Sequence, residues 1–417
     1  MIPKSKSSTP IRDGYRFSDK IMLKRDGLRL SFIAAFFALT LLPLAQMAFH
    51  LPSAQPVDEN RTLAAPPRPI WQDPFEWAKE ADAWFTDHFG FRSLLIRVNA
   101  QIDYSLFRTS SRVYIGKDGQ LFYRWALDTE KPKVERYLRA HAGEILENIR
   151  RLHSAFASRG IRFALSVNLL AEHYFPEKLP ASAPHDTGPQ QIDSLIAQLD
   201  QLLGPDYFDV SPILRATAQK HPIFHKTDFH WNSPSAGEVA RVVVNRWASL
   251  LGYARPVWAH EIEMRPVRFS GGIARFMPLF FPPEETTLDI HFNYQGPPGV
   301  ETTLQQGIFE ATHRVANRPD LLPTLVMAGD SFSDGYLVAG FWIYFQNMYR
   351  VRWGPGMTIS RMVESSPDDT RLFFLQFLET NFFALSALAD TADITRAVEM
   401  IEKRPAAGAN VAPPPIR

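Results

Sequence analysis

The chain has 417 residues, 45% hydrophobic and 21% charged, which is the composition of a folded globular protein and excludes a disordered, collagenous or coiled-coil chain as a whole. Its 45 Lys and Arg against 44 Asp and Glu leave a net charge of +1, so no overall field recruits nucleic acid, and no arginine-rich run or finger spacing replaces one. Cysteine is absent, which removes disulfides, thiolate zinc sites, iron–sulfur clusters and a cysteine nucleophile together.

Residues 1–29 form a basic segment, with Lys4, Lys6, Arg12, Arg16, Lys20, Lys24, Arg25 and Arg29 against Asp13, Asp19 and Asp26. From Leu30 to Leu51 no residue is charged, and Phe, Leu, Ala and Ile dominate. At about 1.5 Å per residue this run reaches roughly 33 Å as a helix, enough to cross a bilayer core, with Pro43 as a tolerated kink. Its length exceeds the ~7–15 apolar residues of a secretory signal and no A-x-A cleavage site follows, so a retained single-pass anchor is expected, with a cleaved signal as the alternative. The basic flank places the N-terminus in the cytoplasm and the rest of the chain outside it, in the periplasm of a bacterial inner membrane.

Residues 52–75 are Pro/Ala-rich and read as a linker. Trp77, Ala81, Trp84, Phe85 and Phe89 mark one face of a helix. Tyr114–Gly116 and Leu121–Tyr123 flank a Gly-bearing turn and predict a hairpin. Val134 to Phe156 predicts a long helix ended by Gly160, followed by a buried strand over Ile161–Leu169. Ile192–Leu203 predicts another helix, stopped by Gly204-Pro205, before a short strand at Tyr207–Val210. Ser233 with Pro234 reads as an N-cap with Pro at N1, opening a helix through Leu251. Leu325–Ala328 and Leu372–Leu378 are apolar strands. The proline clusters at 176–189 and 278–298 read as surface connections, and residues 406–417 as a disordered tail. Helices alternating with short apolar strands predict an α/β layered domain over 76–405 with a mainly parallel sheet.

The strand Leu325–Ala328 runs into Gly329-Asp330-Ser331-Phe332-Ser333. A serine at the carboxyl end of a parallel strand stands where open α/β sheets put their ligands. Gly-Asp-Ser alone arises by chance in roughly one chain in ten of this length, so its position carries the weight. The structural alternative is a turn in which Ser331 caps the next helix. The segment is not the G-x-S-x-G elbow, because Ser333 stands where the second Gly belongs. A nucleophilic serine needs a base, and the base an orienting group. Asp228-Phe229-His230 provides both: Asp228 holds one ring nitrogen of His230 while the other faces Ser331. The alternative is an Asp–His pair in a polar loop. His225, Asp228 and His230 are also close in sequence, but they lack helical i, i+4 spacing and a third ligand motif, so no metal is expected.

Five motifs in this order resemble the SGNH-hydrolase-like polysaccharide O-acetyltransferases of the alginate O-acetyltransferase type: Glu59-Asn60-Arg61, Asp87-His88-Phe89-Gly90-Phe91-Arg92, Gly116-Lys117-Asp118-Gly119-Gln120-Leu121-Phe122, Thr227-Asp228-Phe229-His230-Trp231 and Gly329 to Ser333. The resemblance covers about residues 58 to 380. Asp-x-His precedes the serine, the reverse of ordinary GDSL esterases. The resemblance implies a three-layer α/β/α sandwich, with Ser331 as nucleophile, His230 as general base and acid, and Asp228 orienting His230. It further implies that Gly271-Gly272-Ile273-Ala274-Arg275 is the glycine-containing loop. Gly272, Arg275 and Asn168, at the end of its strand, are thus the candidates for oxyanion or substrate contacts. The carbohydrate-binding module of two-domain members is expected to be missing.

The activity implied is transfer of an acetyl group, through a serine acyl-enzyme, to hydroxyls of an exported polysaccharide, alginate-like or another exopolysaccharide. No cofactor is expected. A membrane-bound O-acyltransferase partner delivers the acetyl group, and other polysaccharide-export proteins complete the setting. Two alternatives stand beside this. One is a periplasmic carbohydrate acetyl esterase using the same three residues. The other is a non-catalytic export scaffold, with Trp231, Trp342 and Trp353 as stacking surfaces. Asp87 and Arg92 are expected to form a structural polar contact tying the N-terminal helices to the domain.

Overall fold

The computed structural model describes residues 14–57, 61–185, 188–258, 261–291, 300–315 and 320–406, so Glu59, Asn60 and the 407–417 tail lie outside the described residues. Two units divide the chain: Met1–Ile102 with Pro278–Phe280, and Asp103–Met277 with Phe281–Arg417.

In the first unit, α1 (Gly14–Phe49) carries Leu28–Phe49, 22 residues of mean hydropathy 2.0, long and apolar enough to cross a membrane. Leu30, Phe32 and Leu39 are exposed on it, which suits lipid rather than water. Helix α2 (Pro74–His88) starts where the Asp73 carboxylate accepts from the N–H groups of Phe75 and Glu76, with Pro74 in its first turn. Helix α3 (Arg92–Ile102) follows. Asp87 accepts from the Arg61 guanidinium and from the Ala64 N–H at 2.8 Å, and these bonds hold its carboxyl below the usual range. Its hydrogen-bonded partner is Arg61, and the expected partner Arg92 adds its charge to the same lowering.

The second unit opens with β1 (Val113–Ile115) and β2 (Leu121–Tyr123), the expected antiparallel hairpin, with Asp118 and Gly119 of its turn at positive φ. Helix α4 (Lys131–Ser158) and β3 (Arg162–Asn168) come next, then α5 (Gln191–Leu203), α6 (Ser211–Ala218) and α7 (Ser233–Leu250). The cap of α7 is Asn232, whose side chain accepts from the Ser235 N–H at 3.0 Å, one residue before the Ser233 expected. Tyr207 makes a single parallel bridge to Leu165 in place of the predicted strand over Tyr207–Val210. The antiparallel pair β4 (Glu263–Phe269) and β5 (Glu285–His291) encloses the short helix α8 (Gly272–Phe276), so the proline-rich 278–298 stretch contains a strand. After β6 (Val300–Gln306) and β7 (Phe309–Val315) come β8 (Leu325–Gly329), α9 (Ser333–Val338), β9 (Asn347–Arg352), α10 (Ile359–Ser365), β10 (Leu372–Leu378), α11 (Phe382–Ala389) and α12 (Thr391–Lys403).

Six strands form one sheet in the order β3-β10-β8-β9-β7-β6. The first four are parallel, and β7 and β6 add an antiparallel edge. Alternation along β10 shows why helices cover both faces. Phe373, Leu375 and Phe377 pack with α4, α5, α10, α11 and α12, whereas Leu372 and Phe374 pack with α6, α7 and α9. The result is the expected three-layer sandwich. Strand β8 leads into α9 on one face, and its neighbour β10 leads into α11 on the other. The chain therefore opens a crevice between the carboxyl ends of β8 and β10, the switch point at which open α/β sheets bind ligands.

Trp231 and Trp353 are core residues, with their indole N–H groups donating to the carbonyls of Phe332 and Gln376, and Trp342 stacks on His313 at 4.6 Å. Phe374 is fully buried, its ring 5.2 Å from Trp247 and 5.6 Å from Phe208. Phe374→Ala is expected to cost about 3–5 kcal/mol, because the cavity it leaves cannot collapse between two aromatic rings. Equilibrium denaturation checks this as a lower midpoint at unchanged slope.

Candidate active site

Ser331 stands in the turn between β8 and α9, and the residue before it fixes that turn. The buried Asp330 carboxylate accepts four hydrogen bonds: from the Phe332 N–H at 3.0 Å, Gln376 Nε2 at 3.2 Å, the Leu378 N–H at 2.5 Å and Asn381 Nδ2 at 3.1 Å. Asp330 thus ties the end of β8 to the end of β10. From the other side the buried Arg350 of β9 grips the same loop. Its Nη2 donates to the Asp330 carbonyl at 3.0 Å, to Ser333 Oγ at 2.7 Å and to Asp334 Oδ1 at 2.6 Å. Arg352, two residues on and so on the same strand face, shares Glu310 and Asp334 with it. Gly329 leaves room for this grip, since a Cβ there would collide with Ser333 Oγ.

His230 approaches from the loop before α7. Its Nε2 lies 2.8 Å from Ser331 Oγ, 101 residues away in sequence, and its Nδ1 lies 2.7 Å from Asp228 Oδ1. With the proton on Nδ1 donated to Asp228, Nε2 accepts from the Ser331 hydroxyl. Phe229 and Phe332 flank the imidazole, with ring centroids 4.1 and 5.1 Å away. Burial pushes the Asp228 carboxyl up, but bonds from the His230 ring, the Gly272 N–H and the His230 N–H outweigh it and hold the carboxyl down at about 2. Asp228 is therefore a fixed anion at neutral pH, the partner that an imidazolium at His230 needs.

The loop carrying Asp228 is clamped in turn. Glu285 of β5 accepts from the N–H groups of Lys226 and Thr227 and from the Thr227 hydroxyl. Thr227 Oγ1 accepts from the Gly271 N–H at 3.0 Å, and Asp228 Oδ2 from the Gly272 N–H at 2.6 Å. Gly271 is required for this close approach, because a Cβ would lie 2.5 Å from the Thr227 carbonyl oxygen. Two expectations are corrected by these contacts, those for Gly272 and Asn168, and Arg275 is located. The Gly272 N–H serves the Asp228 carboxylate, so it is not an oxyanion donor. The Arg275 guanidinium donates to the Ser270 carbonyl at 2.9 Å. Asn168 is buried and accepts from Gln376 Nε2 at 2.8 Å, one bond away from Asp330 and not on the cleft wall. The N–H of Ser331 itself donates to nothing among the described residues.

His225 does not join Asp228 and His230. Its Nδ1 lies 3.2 Å from Thr287 Oγ1 and its ring stacks on Phe269. Ser331 opens onto a cleft of about 410 Å3 whose walls include Tyr123, Leu170, Phe229, Leu378, Thr380 and Asn381.

Glu379, next to Leu378, fastens that wall. Its buried carboxylate accepts from the Leu170 N–H at 2.7 Å and meets His173 Nε2 at 2.9 Å. Glu172 lies beside it, 3.8 Å from Lys131 Nζ, and burial together with the Glu379 charge pushes the Glu172 carboxyl up to about 7. A carboxyl raised on folding contributes stability that is complete below its ordinary 4.5 and lost as the pH rises through 7. Glu172→Gln is expected to flatten the fall in melting temperature across that window, checked by thermal unfolding in a pH series.

Residues 113–338, more than half of the chain, match the family model described as SGNH hydrolase-like domain, acetyltransferase AlgX. A curated relative, "Probable alginate O-acetylase AlgJ" of Pseudomonas syringae pv. tomato, is 25% identical over 212 residues, 49% of this chain and 51% of the relative. The chain thus spans about half the length of that relative. Among solved structures, the O-acetyltransferase domain of Pseudomonas putida AlgJ is 14% identical, with 69% of this chain and 98% of that chain covered at a TM-score of 0.46. Pseudomonas aeruginosa AlgX is 14% identical, with 75% and 70% covered at a TM-score of 0.42. By its family match over the hairpin, the Asp228–His230 loop and the Ser331 turn, the chain belongs to the SGNH hydrolase-like, AlgX-type acetyltransferase domain family.

Proposed function

We propose that this chain is an O-acetyltransferase that moves an acetyl group through Ser331 onto hydroxyls of an exported, alginate-like polysaccharide. The observation that supports this reading most directly is the hydrogen-bonded line from Ser331 Oγ to His230 Nε2 and from His230 Nδ1 to Asp228, at the mouth of a cleft in a chain of this family. Ser331 Oγ attacks the acetyl carbonyl of the donor while its proton passes to His230 Nε2. In this reading Asp228 stabilises the imidazolium, and the Ser331 N–H donates to the tetrahedral oxyanion. The donor group leaves with the proton from His230, which yields the acetyl-serine ester. A sugar hydroxyl then loses its proton to His230, attacks the ester carbonyl, and Ser331 Oγ departs with that proton restored.

The apolar segment Leu28–Phe49 supports an anchor in the bacterial inner membrane, with residues 1–29 in the cytoplasm, 52–75 as a linker and the acetyltransferase domain, 76–405, in the periplasm. Activated acetyl donors are made in the cytoplasm, so in this reading a membrane-bound O-acyltransferase hands the acetyl group across, and the anchor keeps donor and acceptor close.

The test is acetyl transfer from a chromogenic acetyl ester to a uronate oligosaccharide by the full chain. Ser331→Ala and His230→Ala are each expected to lower the transfer rate by about 10⁴-fold or more, and Asp228→Asn by a similar order. Transfer that survives Ser331→Ala contradicts the reading. Ester turnover that never acetylates the oligosaccharide makes the chain an esterase.

A further inference from the structure

The cleft at Ser331 continues past the reacting atoms into a part that neither the serine nor its two partners use. Trp125, between β2 and α4, and Phe383, in the first turn of α11, line it from two different segments of the second unit. Both are exposed, Trp125 at 54% and Phe383 at 47%, in a unit whose other large aromatic rings are mostly buried. Neither ring has an aromatic partner among the described residues, whereas Tyr123 packs tilted against Phe276 and Phe229 lies against His230. Trp125 is nonetheless tethered at its edge, where its indole N–H donates to Glu130 Oε1 at 3.0 Å. Two large apolar side chains held out in water beside a reactive serine cost hydrophobic free energy unless a ligand covers them.

We propose, building on the acetyl-transfer reading, that Trp125 and Phe383 form the acceptor subsite, on which a pyranose ring of the polysaccharide stacks while a neighbouring hydroxyl is presented to the acetyl-serine. The polar groups around the two rings choose between a sugar and an apolar occupant. Glu130, Lys133, Thr380 and Asn381 share the cleft with them. Lys133 Nζ sits 3.7 Å from the centroid of Phe382 and has no ion-pair partner among the described residues, and the Thr380 hydroxyl bonds to nothing there. An acyl chain would bury these groups without partners, at a desolvation penalty. A pyranose ring lays its C–H face on an aromatic ring and turns its hydroxyls, or a ring carboxylate, to the polar rim. The tryptophans expected to stack on sugar, Trp231, Trp342 and Trp353, are committed elsewhere, and Trp125 takes the position they lack.

Binding in the Ser331→Ala chain, where no transfer interferes, tests the subsite. A uronate oligosaccharide and a neutral hexose oligosaccharide are titrated against the full chain and followed by calorimetry. Adding Trp125→Ala is expected to weaken binding of the preferred oligosaccharide about 10-fold or more, as the loss of one aromatic stacking contact requires. Trp125→Phe, which keeps a flat ring, restores part of it. Lys133→Gln is expected to weaken the uronate oligomer more than the neutral one. Equal affinity with and without Trp125, or a medium-chain acyl ester that competes with the oligosaccharide for the Trp125 site, overturns the proposal. Loss of serine acetylation in the unmutated chain would instead refute the acetyl-transfer reading, and this binding experiment does not depend on it.

Discussion

The site depends on one buried carboxylate outside the Ser331, His230 and Asp228 line. Asp330 accepts bonds from backbone or side-chain donors on the turn after β8, on β10 and on the cap of α11. Those segments leave the sheet on opposite faces, so without a bridge the crevice between them would be free to widen. With it, Ser331 is pinned at the point where the sheet opens. A second constraint, the Arg350 guanidinium, holds the same turn from β9 through Ser333, Asp334 and the Asp330 carbonyl. Such a turn costs conformational freedom, and buried charged hydrogen bonds of this kind are strong enough to offset it.

Once the serine is fixed, the remaining geometry follows from short-range chemistry. Asp228 and His230 are two residues apart in one loop, and the Asp228 carboxylate binds both the ring and the backbone N–H of His230. That loop is held by Glu285 and by Gly271 and Gly272, of which Gly271 comes closer than a Cβ would allow. The glycine pair therefore has a different role from the one its resemblance suggested. It anchors the acid behind the histidine. The cleft combines an ionised acid, an aromatic-flanked imidazole and a wall tied down by Glu379, all on the carboxyl side of a rigid sheet, which is the preorganisation that acyl transfer exploits.

Much of this was legible in the sequence, and the reason is local. Strands such as Leu325–Gly329 and Leu372–Leu378 are short uninterrupted apolar runs, because both of their faces are buried. Ser331 follows one of them directly, and Asp228 with His230 sits immediately before a capped helix, so three residues could be singled out by position. What stayed hidden was set by long-range partners. Strand β9 carries Arg350 and Arg352, which look solvent-facing until Glu310 and Asp334 are brought against them. Strand β5 lies in a proline-rich stretch that reads as a loop, and it pairs only because β4 lies beside it. Asn168 and Gly272 lie near the right atoms, yet the Asn168 side chain is buried with its Oδ1 on Gln376, and the Gly272 N–H is bonded to Asp228. Exposure cannot be read from residue type, which is why Trp125 passed unnoticed among nine tryptophans.

The most direct test of the central claim is the intact mass of the full chain after incubation with a chromogenic acetyl ester, compared between the unmutated chain and Ser331→Ala. The account predicts one added acetyl group on the unmutated chain, mapped by peptide analysis to Ser331, and none on the variant. No adduct on the unmutated chain, or the same adduct on both, would contradict it.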